Sequence, residues 1–275
     1  MRAKKSAFWL LIEESNPDII IGSETWLHQG FYEREVLPEG YHFVARRDRT
    51  YSHHGGVMIA AKDNIQGTEI QITTNTELCA ASFQCHDKQP LIVGAVYRPP
   101  SSGIQYMEEL CQKLRDLQAD YSRSTIWISG DTNLPDIDWT DGTVTGSSYP
   151  TQISTLLTDL TYDLGLEQVV NFPTRGQNTI DIFLTNRPSL ISKCKPIPGI
   201  SGHDIIFTET LTRVPHQKPR RILLWKRADT EGLQRAVHDF SDNFVSKYSS
   251  STDIETLWTS FRDFCVKAIS DFIPS

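Results

Sequence analysis

Six side chains of the kinds that hydrolyse phosphate esters stand at the ends of short apolar runs. Glu24 follows Ile19–Ile21, and Tyr97 closes the run that begins at Leu91. Asp131 and Asn133 follow Ile126–Ile128 in the phrase Gly-Asp-Thr-Asn, Asp181 opens Ile180–Thr185, and His203 precedes Ile205–Leu211. Such a set suits metal-assisted phosphodiester hydrolysis. One carboxylate holds Mg²⁺, which takes oxygen ligands and keeps several waters. A second positions or deprotonates the attacking water, while neutral donors and an imidazole stabilise charge developing on the phosphoryl oxygens. A further Asp fixes the tautomer and orientation of the His. No member is specific alone. A Glu after a strand is ordinarily a solvated cap, Asx residues there often only form turns, and a lone His is more often structural. Order and spacing carry the reading.

The elements that position these groups are legible as alternating patterns. Ile19–Ile21, Val57–Ala61, Leu91–Tyr97, Thr125–Ser129, Ile180–Thr185 and Ile205–Leu211 read as buried strands. Ile70–Thr73 and Ala80–Gln84 read as more exposed, antiparallel ones. Met107, Leu110, Cys111, Leu114 and Leu117 form one helical stripe, and Ile153, Leu156, Leu157, Leu160 and Leu164 another. Polar residues just beyond strand ends are where α/β folds build sites. Trp26 and Trp127 read as core, and the pair His53-His54 as a solvated loop.

The chain has 275 residues, long enough to bury roughly three quarters of its unfolded surface in one large domain, with or without an appendage. Lys+Arg 27 against Asp+Glu 34 gives −7, so any nucleic-acid contact must come from a local basic patch. The five cysteines form no CxxC pair, which argues against zinc fingers and a disulfide framework and for a reducing, intracellular compartment. No apolar run approaches a membrane span. Residues 212–228 read as a basic, proline-broken linker. Beyond it, residues 229–275 carry two amphipathic helical stripes, the second opening on a capping box of Thr252 and Glu255.

The ordered phrases resemble the endonuclease/exonuclease/phosphatase superfamily. More narrowly, they resemble the apurinic-type endonuclease domain at the front of non-LTR retrotransposon (LINE) polyproteins. Ser-Glu-Thr-Trp-Leu (23–27), Arg46-Arg47-Asp48-Arg49 with Gly55-Gly56-Val57, and Val-Tyr-Arg-Pro-Pro (96–100) carry the likeness. So do Gly-Asp-Thr-Asn-Leu-Pro (130–135), Phe-Pro-Thr-Arg-Gly (172–176) and Asn-Thr-Ile-Asp-Ile-Phe-Leu-Thr-Asn (178–186). The resemblance implies a DNase I-like, four-layer α/β-β/α sandwich over residues 1–211. The C-terminal helices would be the connector that precedes a reverse transcriptase. It further implies a monomeric, Mg²⁺- or Mn²⁺-dependent enzyme that nicks DNA in the nucleus. Glu24 would be the metal ligand and Asp131 would handle the water. Asn133 and Tyr97 would touch the phosphate, and Asp181 would orient a transition-state-stabilising His203. Arg47, Arg49, Arg98 and Arg175 are the phosphate contacts expected on one rim.

Two departures qualify these expectations. The family's first strand, with its metal-binding Asn, is missing ahead of Met1, and Gly202 stands where the family has an Asp; the chain reads as truncated at both ends. A catalytically weakened or inactive remnant is therefore the alternative reading. A phosphatase of phosphoinositides or sphingolipids is a third, which the Tyr-Arg-Pro-Pro and Phe-Pro-Thr-Arg phrases disfavour.

Overall fold

A computed structural model describes residues 4–49, 54–85, 89–216, 225–249 and 251–274. His53 and residues 217–224 of the basic linker lie outside them. The chain divides into two compact units, Met1–Gln217 and Lys218–Ser275.

The centre of the first unit is a strand–helix–strand crossover. β6 (Leu91–Tyr97) and β7 (Thr125–Asp131) pair in parallel, joined by α3 (Ile104–Asp120). β6 is buried along its whole length, as a strand covered on both faces requires. β5 (Glu77–Phe83) and β4 (Gly67–Ile70) extend this sheet antiparallel on one side. β11 (Asp181–Thr185) and the short β10 (Glu167–Gln168) extend it on the other. The six-stranded order is β10-β11-β7-β6-β5-β4. One face, with Leu78, Ile92, Val96, Ile126, Ile128 and Ile182, packs on α3 and α4 (Thr151–Asp163). Met107, Leu110, Cys111, Leu114 and Leu117 make the buried stripe of α3, each stabilising the layer by about 1.5–3 kcal/mol.

The other face meets a second sheet layer. β1 (Ile19–Ser23), β3 (Val57–Lys62) and β2 (Tyr41–Arg47) form an antiparallel sheet in the order β1-β3-β2. β12 (Ile191–Ile197) and β13 (Ile205–Thr210) form a separate hairpin. Val57, Ile59 and Ala61 face inward against Phe83, Val93, Trp127 and Phe183. Met58, Ala60 and Ile20 face outward against Phe8 and Ile12 of α1 (Lys5–Ser15). Helices, sheet, sheet and helix make the four layers. Two short elements sit in the connections: α2 (Glu33–Val36) and the hairpin of β8 (Ile137–Asp138) with β9 (Thr143–Val144).

The structure moves or re-covers several expected elements. The exposed strand expected at Ile70–Thr73 lies earlier, as β4. β5 is buried rather than exposed, because both a helix layer and a sheet layer cover it. β13 has the reverse discrepancy: five of its six residues are only half-buried.

The second unit pairs α5 (Thr230–Lys247) with α6 (Ile254–Phe272), through the stacked rings of Phe240 and Phe264 at 4.0 Å. The α6 N-cap is Asp253, whose side chain accepts from the Thr256 N–H at 2.9 Å. The expected cap, Thr252, instead accepts from Ser249.

Candidate active site

Strand register assembles the site. Glu77 of β5 stands opposite Tyr97 of β6, Tyr97 opposite Asp131 of β7, and Asp131 opposite Asp181 of β11. Directly opposed residues share a face, so four functional side chains form one row across four strands on the inward face of the sheet. Gly130 makes the row possible. It has φ +147°, and a Cβ there would lie 1.9 Å from the Val96 carbonyl oxygen of the neighbouring strand.

Loops deliver the remaining groups. Glu24 follows β1 on a turn clipped by Thr25 N–H to Gly56 O (3.2 Å) and Trp26 N–H to Gly55 O (2.8 Å). Its carboxylate accepts a short hydrogen bond from the Tyr97 hydroxyl. His203, before β13, donates from Nδ1 to Asp181 Oδ2 at 2.9 Å. Ligand-capable atoms of Asp131, Asp181 and His203 all lie within 4.8 Å of one another. With Glu24 they line the same cleft, of about 1630 Å³. Four non-glycine residues have positive φ among those described, and three of them, Glu24 (49°), Trp26 (54°) and Asn133 (50°), stand here. Backbone held in that region outside glycine is characteristic of functional sites.

Burial, then the Asp181 carboxylate, pushes the Asp131 carboxyl well above the usual carboxylate range. The Asp181 hydrogen bond pushes His203 upward, favouring its protonated, donating form. Asn133 N–H and Nδ2 bond the two Asp131 oxygens at 2.8 and 2.9 Å, and Nδ2 also donates to Arg98 O at 3.1 Å. Both amide hydrogens are thus engaged, and Asn133 orients Asp131.

The four arginines part company. Arg175 is exposed on the hairpin that precedes Asp181, close enough to His203 to oppose its charge. Arg47 donates to the Ile72 carbonyl at 3.2 Å and to that of Thr74. Arg49 pairs with Glu77, its Nε 2.6 Å from Oε1. Arg98 corrects the expectation of a rim contact. It is fully buried, donates to the carbonyls of Thr132 (3.5 Å), Asn133 (3.4 Å) and Ser102 (2.9 Å), and lies over the Tyr149 ring. It is an interior strut beneath the loop that carries Asn133. Trp26 is corrected in the opposite sense: it is 50% exposed, edge-on to His54.

Two positioning residues escaped the sequence reading. Glu77 continues the row, accepts from Gly56 N–H and neutralises Arg49. Thr174 is buried; its hydroxyl accepts from Asp181 N–H at 3.1 Å, and its carbonyl accepts from Asp204 N–H at 2.7 Å. It therefore ties the Asp181 strand to the His203 loop. Its place in Phe-Pro-Thr-Arg-Gly was the available signal.

Residues 91–207 match the model of a family described as endonuclease-reverse transcriptase. Among solved structures, the catalytic domain of Xenopus laevis APE2 superposes with a TM-score of 0.56 at 16% identity, covering 80% of this chain and 91% of that one. An endonuclease/exonuclease/phosphatase from Beutenbergia cavernae gives 0.52 at 12% identity, over 76% and 66%. The human Nocturnin catalytic domain with bound sulfate gives 0.50 at 13%, over 76% and 87%. At these identities the likeness is one of fold. No curated protein matches the sequence.

Proposed function

We propose that the chain is a member of the endonuclease/exonuclease/phosphatase superfamily, hydrolyses phosphodiester bonds and nicks DNA as the endonuclease of a non-LTR retrotransposon. The observation that carries the reading is the convergence of Asp131, Asp181 and His203 within 4.8 Å in the cleft that Glu24 also lines. The family description, endonuclease-reverse transcriptase, supports the retrotransposon role. The partner domain would then be a reverse transcriptase and the place of work the nucleus. Among the described residues no helix is long and apolar enough to cross a membrane.

The donor set fits a hard divalent cation. Carboxylate oxygens of Glu24, Asp131 and Asp181 gather where burial and mutual repulsion raise Asp131, and Mg²⁺ or Mn²⁺ is the counter-charge such oxygens suit. Glu24 would hold it, braced by the Tyr97 hydroxyl. When bound, the ion polarises a phosphoryl oxygen and lowers the pKa of coordinated water. Asp131, fixed by Asn133, orients the attacking water and takes its proton. His203, held through Nδ1 by Asp181, presents Nε2 to the phosphoryl oxygen and stabilises its growing charge. Arg175 supplies a backbone phosphate contact from the rim.

Nicking of supercoiled plasmid tests this, with Mg²⁺ present, then with EDTA, then with Asp131→Ala. We expect metal-dependent relaxation that falls at least 100-fold in the variant. A folded chain that leaves the plasmid intact overturns the reading. It would favour a fold kept without turnover, which Gly202 supports as the residue standing where the family has a carboxylate.

A further inference from the structure

Trp26 combines two features that folding alone does not reward. Its backbone is left-handed, with φ 54°, a region that few residues other than glycine adopt. Its indole is 50% exposed, so much of a large apolar ring stays in water. The position is nonetheless firmly held. The Trp26 N–H donates to Gly55 O at 2.8 Å. His54 stands edge-on to the indole, with ring centroids 4.5 Å apart and planes at 86°. Further along the same loop, Arg46 of β2 donates to the carbonyls of His28 at 3.0 Å and Phe31 at 3.3 Å, and pairs with Asp48 at 2.8 Å. The ring is thus presented on a braced loop, as a pre-organised binding surface requires.

Its place narrows the ligand. Trp26 lines the same cleft as Glu24, Asp131, Asp181 and His203. Two residues of chain span at most about 7 Å, against about 3.4 Å of helical rise per nucleotide, so Trp26 stands within about two nucleotides of a phosphate bound at Glu24. The exposed indole offers a flat π face, and the group on a polynucleotide that matches it is the face of a base. Sugar and phosphate have no such face. In paired duplex each base hides both faces in the stack and shows only its edges in the grooves. An indole in the cleft wall therefore meets a base face only where pairing is interrupted.

We propose that Trp26 is a stacking site for one unpaired nucleobase of the strand being cut, close to the scissile phosphate, with His54 as the wall at right angles to it. On the nuclease reading, on which this assignment rests, Trp26 sets the substrate class. That class is DNA whose pairing is interrupted near the cut, by a mismatch or a loop, ahead of uninterrupted duplex. Intact duplex must unstack a base before the indole can receive it, whereas interrupted DNA has a base already loosened. The site asks for no particular base, because every base has a π face. Discrimination at Trp26 is by the structure of the DNA.

The test uses the full chain in EDTA, so that binding is measured apart from turnover. The probes are a short duplex with one 2-aminopurine at a central mismatch and its fully paired counterpart. We expect the mismatched duplex to bind at least fivefold more tightly, the lower end of what one stacked base is worth, with its 2-aminopurine fluorescence quenched on binding. Trp26→Ala should abolish the preference and the quenching while changing affinity for paired duplex less than twofold. Trp26→Phe should keep both, because a second aromatic ring still stacks; a loop that merely needs Trp26 for its shape would fail in both variants. Equal affinity for the two duplexes, a preference that survives Trp26→Ala, or equal failure of the Ala and Phe variants overturns the stacking site. Plasmid nicking in Mg²⁺ separates the two readings. A chain that nicks but shows no preference overturns the stacking site alone, and one that binds no DNA overturns both. Preference through Trp26 without nicking keeps the stacking site and refutes turnover.

Discussion

Replacing Asp131 with Asn should make the metal-free protein more stable at pH 8 and slightly less stable at pH 4. Burial and the Asp181 carboxylate raise the folded-state pKa from 3.8 to about 7. The group is 3% exposed, so solvent screens little of this effect. At about 1.4 kcal/mol per pH unit, holding the ionised form at pH 8 costs the fold up to about 4 kcal/mol. The sign follows from proton uptake. Below pH 4 both states are protonated and no penalty exists. Between pH 4 and 7 the unfolded chain ionises while the folded chain keeps its proton, so stability falls as pH rises, and above 7 the loss is complete. Asn removes that loss. It also forfeits one of the two bonds from Asn133 (2.8 and 2.9 Å), about 1 kcal/mol. The net gain is about 2–3 kcal/mol at pH 8, against a loss of about 1 kcal/mol at pH 4. Urea denaturation of both proteins from pH 4 to 8 in EDTA measures it. A stability difference that stays constant across that range refutes the electrostatic argument. In 10 mM Mg²⁺ the gain should shrink, because the cation stabilises the carboxylate form alone.

The two arginines at opposite extremes of burial should respond oppositely. Arg98→Met should cost about 2–4 kcal/mol in urea denaturation, because it removes bonds to three carbonyls. Arg175→Ala should leave stability within about 0.5 kcal/mol and lower the salt slope of DNA binding by about one. Trp26→Ala should likewise spare stability, since the ring is exposed, while weakening single-stranded DNA binding in fluorescence titrations by about 1–3 kcal/mol, the worth of one stacked base. Gly202→Asp should fold normally, because a Cβ there meets nothing within 4 Å. Calorimetric Mg²⁺ titration should then show several-fold tighter binding; unchanged affinity would mean that this position does not face the ion.

What could be read in the sequence divides along physical lines. β6, β7 and β11 were legible because strands covered on both faces need uninterrupted apolar runs, and the stripe of α3 because one face of a helix must be buried. Asp131, Asp181 and His203 were legible because they sit where such runs stop. Arg98 was not. A charged residue after a strand looks solvent-facing, and only the fold shows the chain turning so that carbonyls of residues 102, 132 and 133 surround it. Trp26 was misjudged because size suggests core, whereas a left-handed turn holds it outside. β5 seemed exposed because Ser82 and Gln84 interrupt the apolar pattern of residues 80–84, yet tertiary layers cover both faces. Thr252 and Asp253 are both good N-caps, and only backbone geometry chooses Asp253.

The row Glu77–Tyr97–Asp131–Asp181 ties chemistry to reading frame in a literal way. Because neighbours along a strand point to opposite faces, inserting or deleting one residue within β6, β7 or β11 does not merely displace a functional group. It exchanges it for a sequence neighbour (Val96 or Arg98, Gly130 or Thr132, Ile180 or Ile182) and turns the polar side chain toward the layer lined by Leu78, Val96 and Ile182. Such a lineage tolerates substitutions across its surface and length changes in its loops. Within these three strands, a change of length would end activity and folding together.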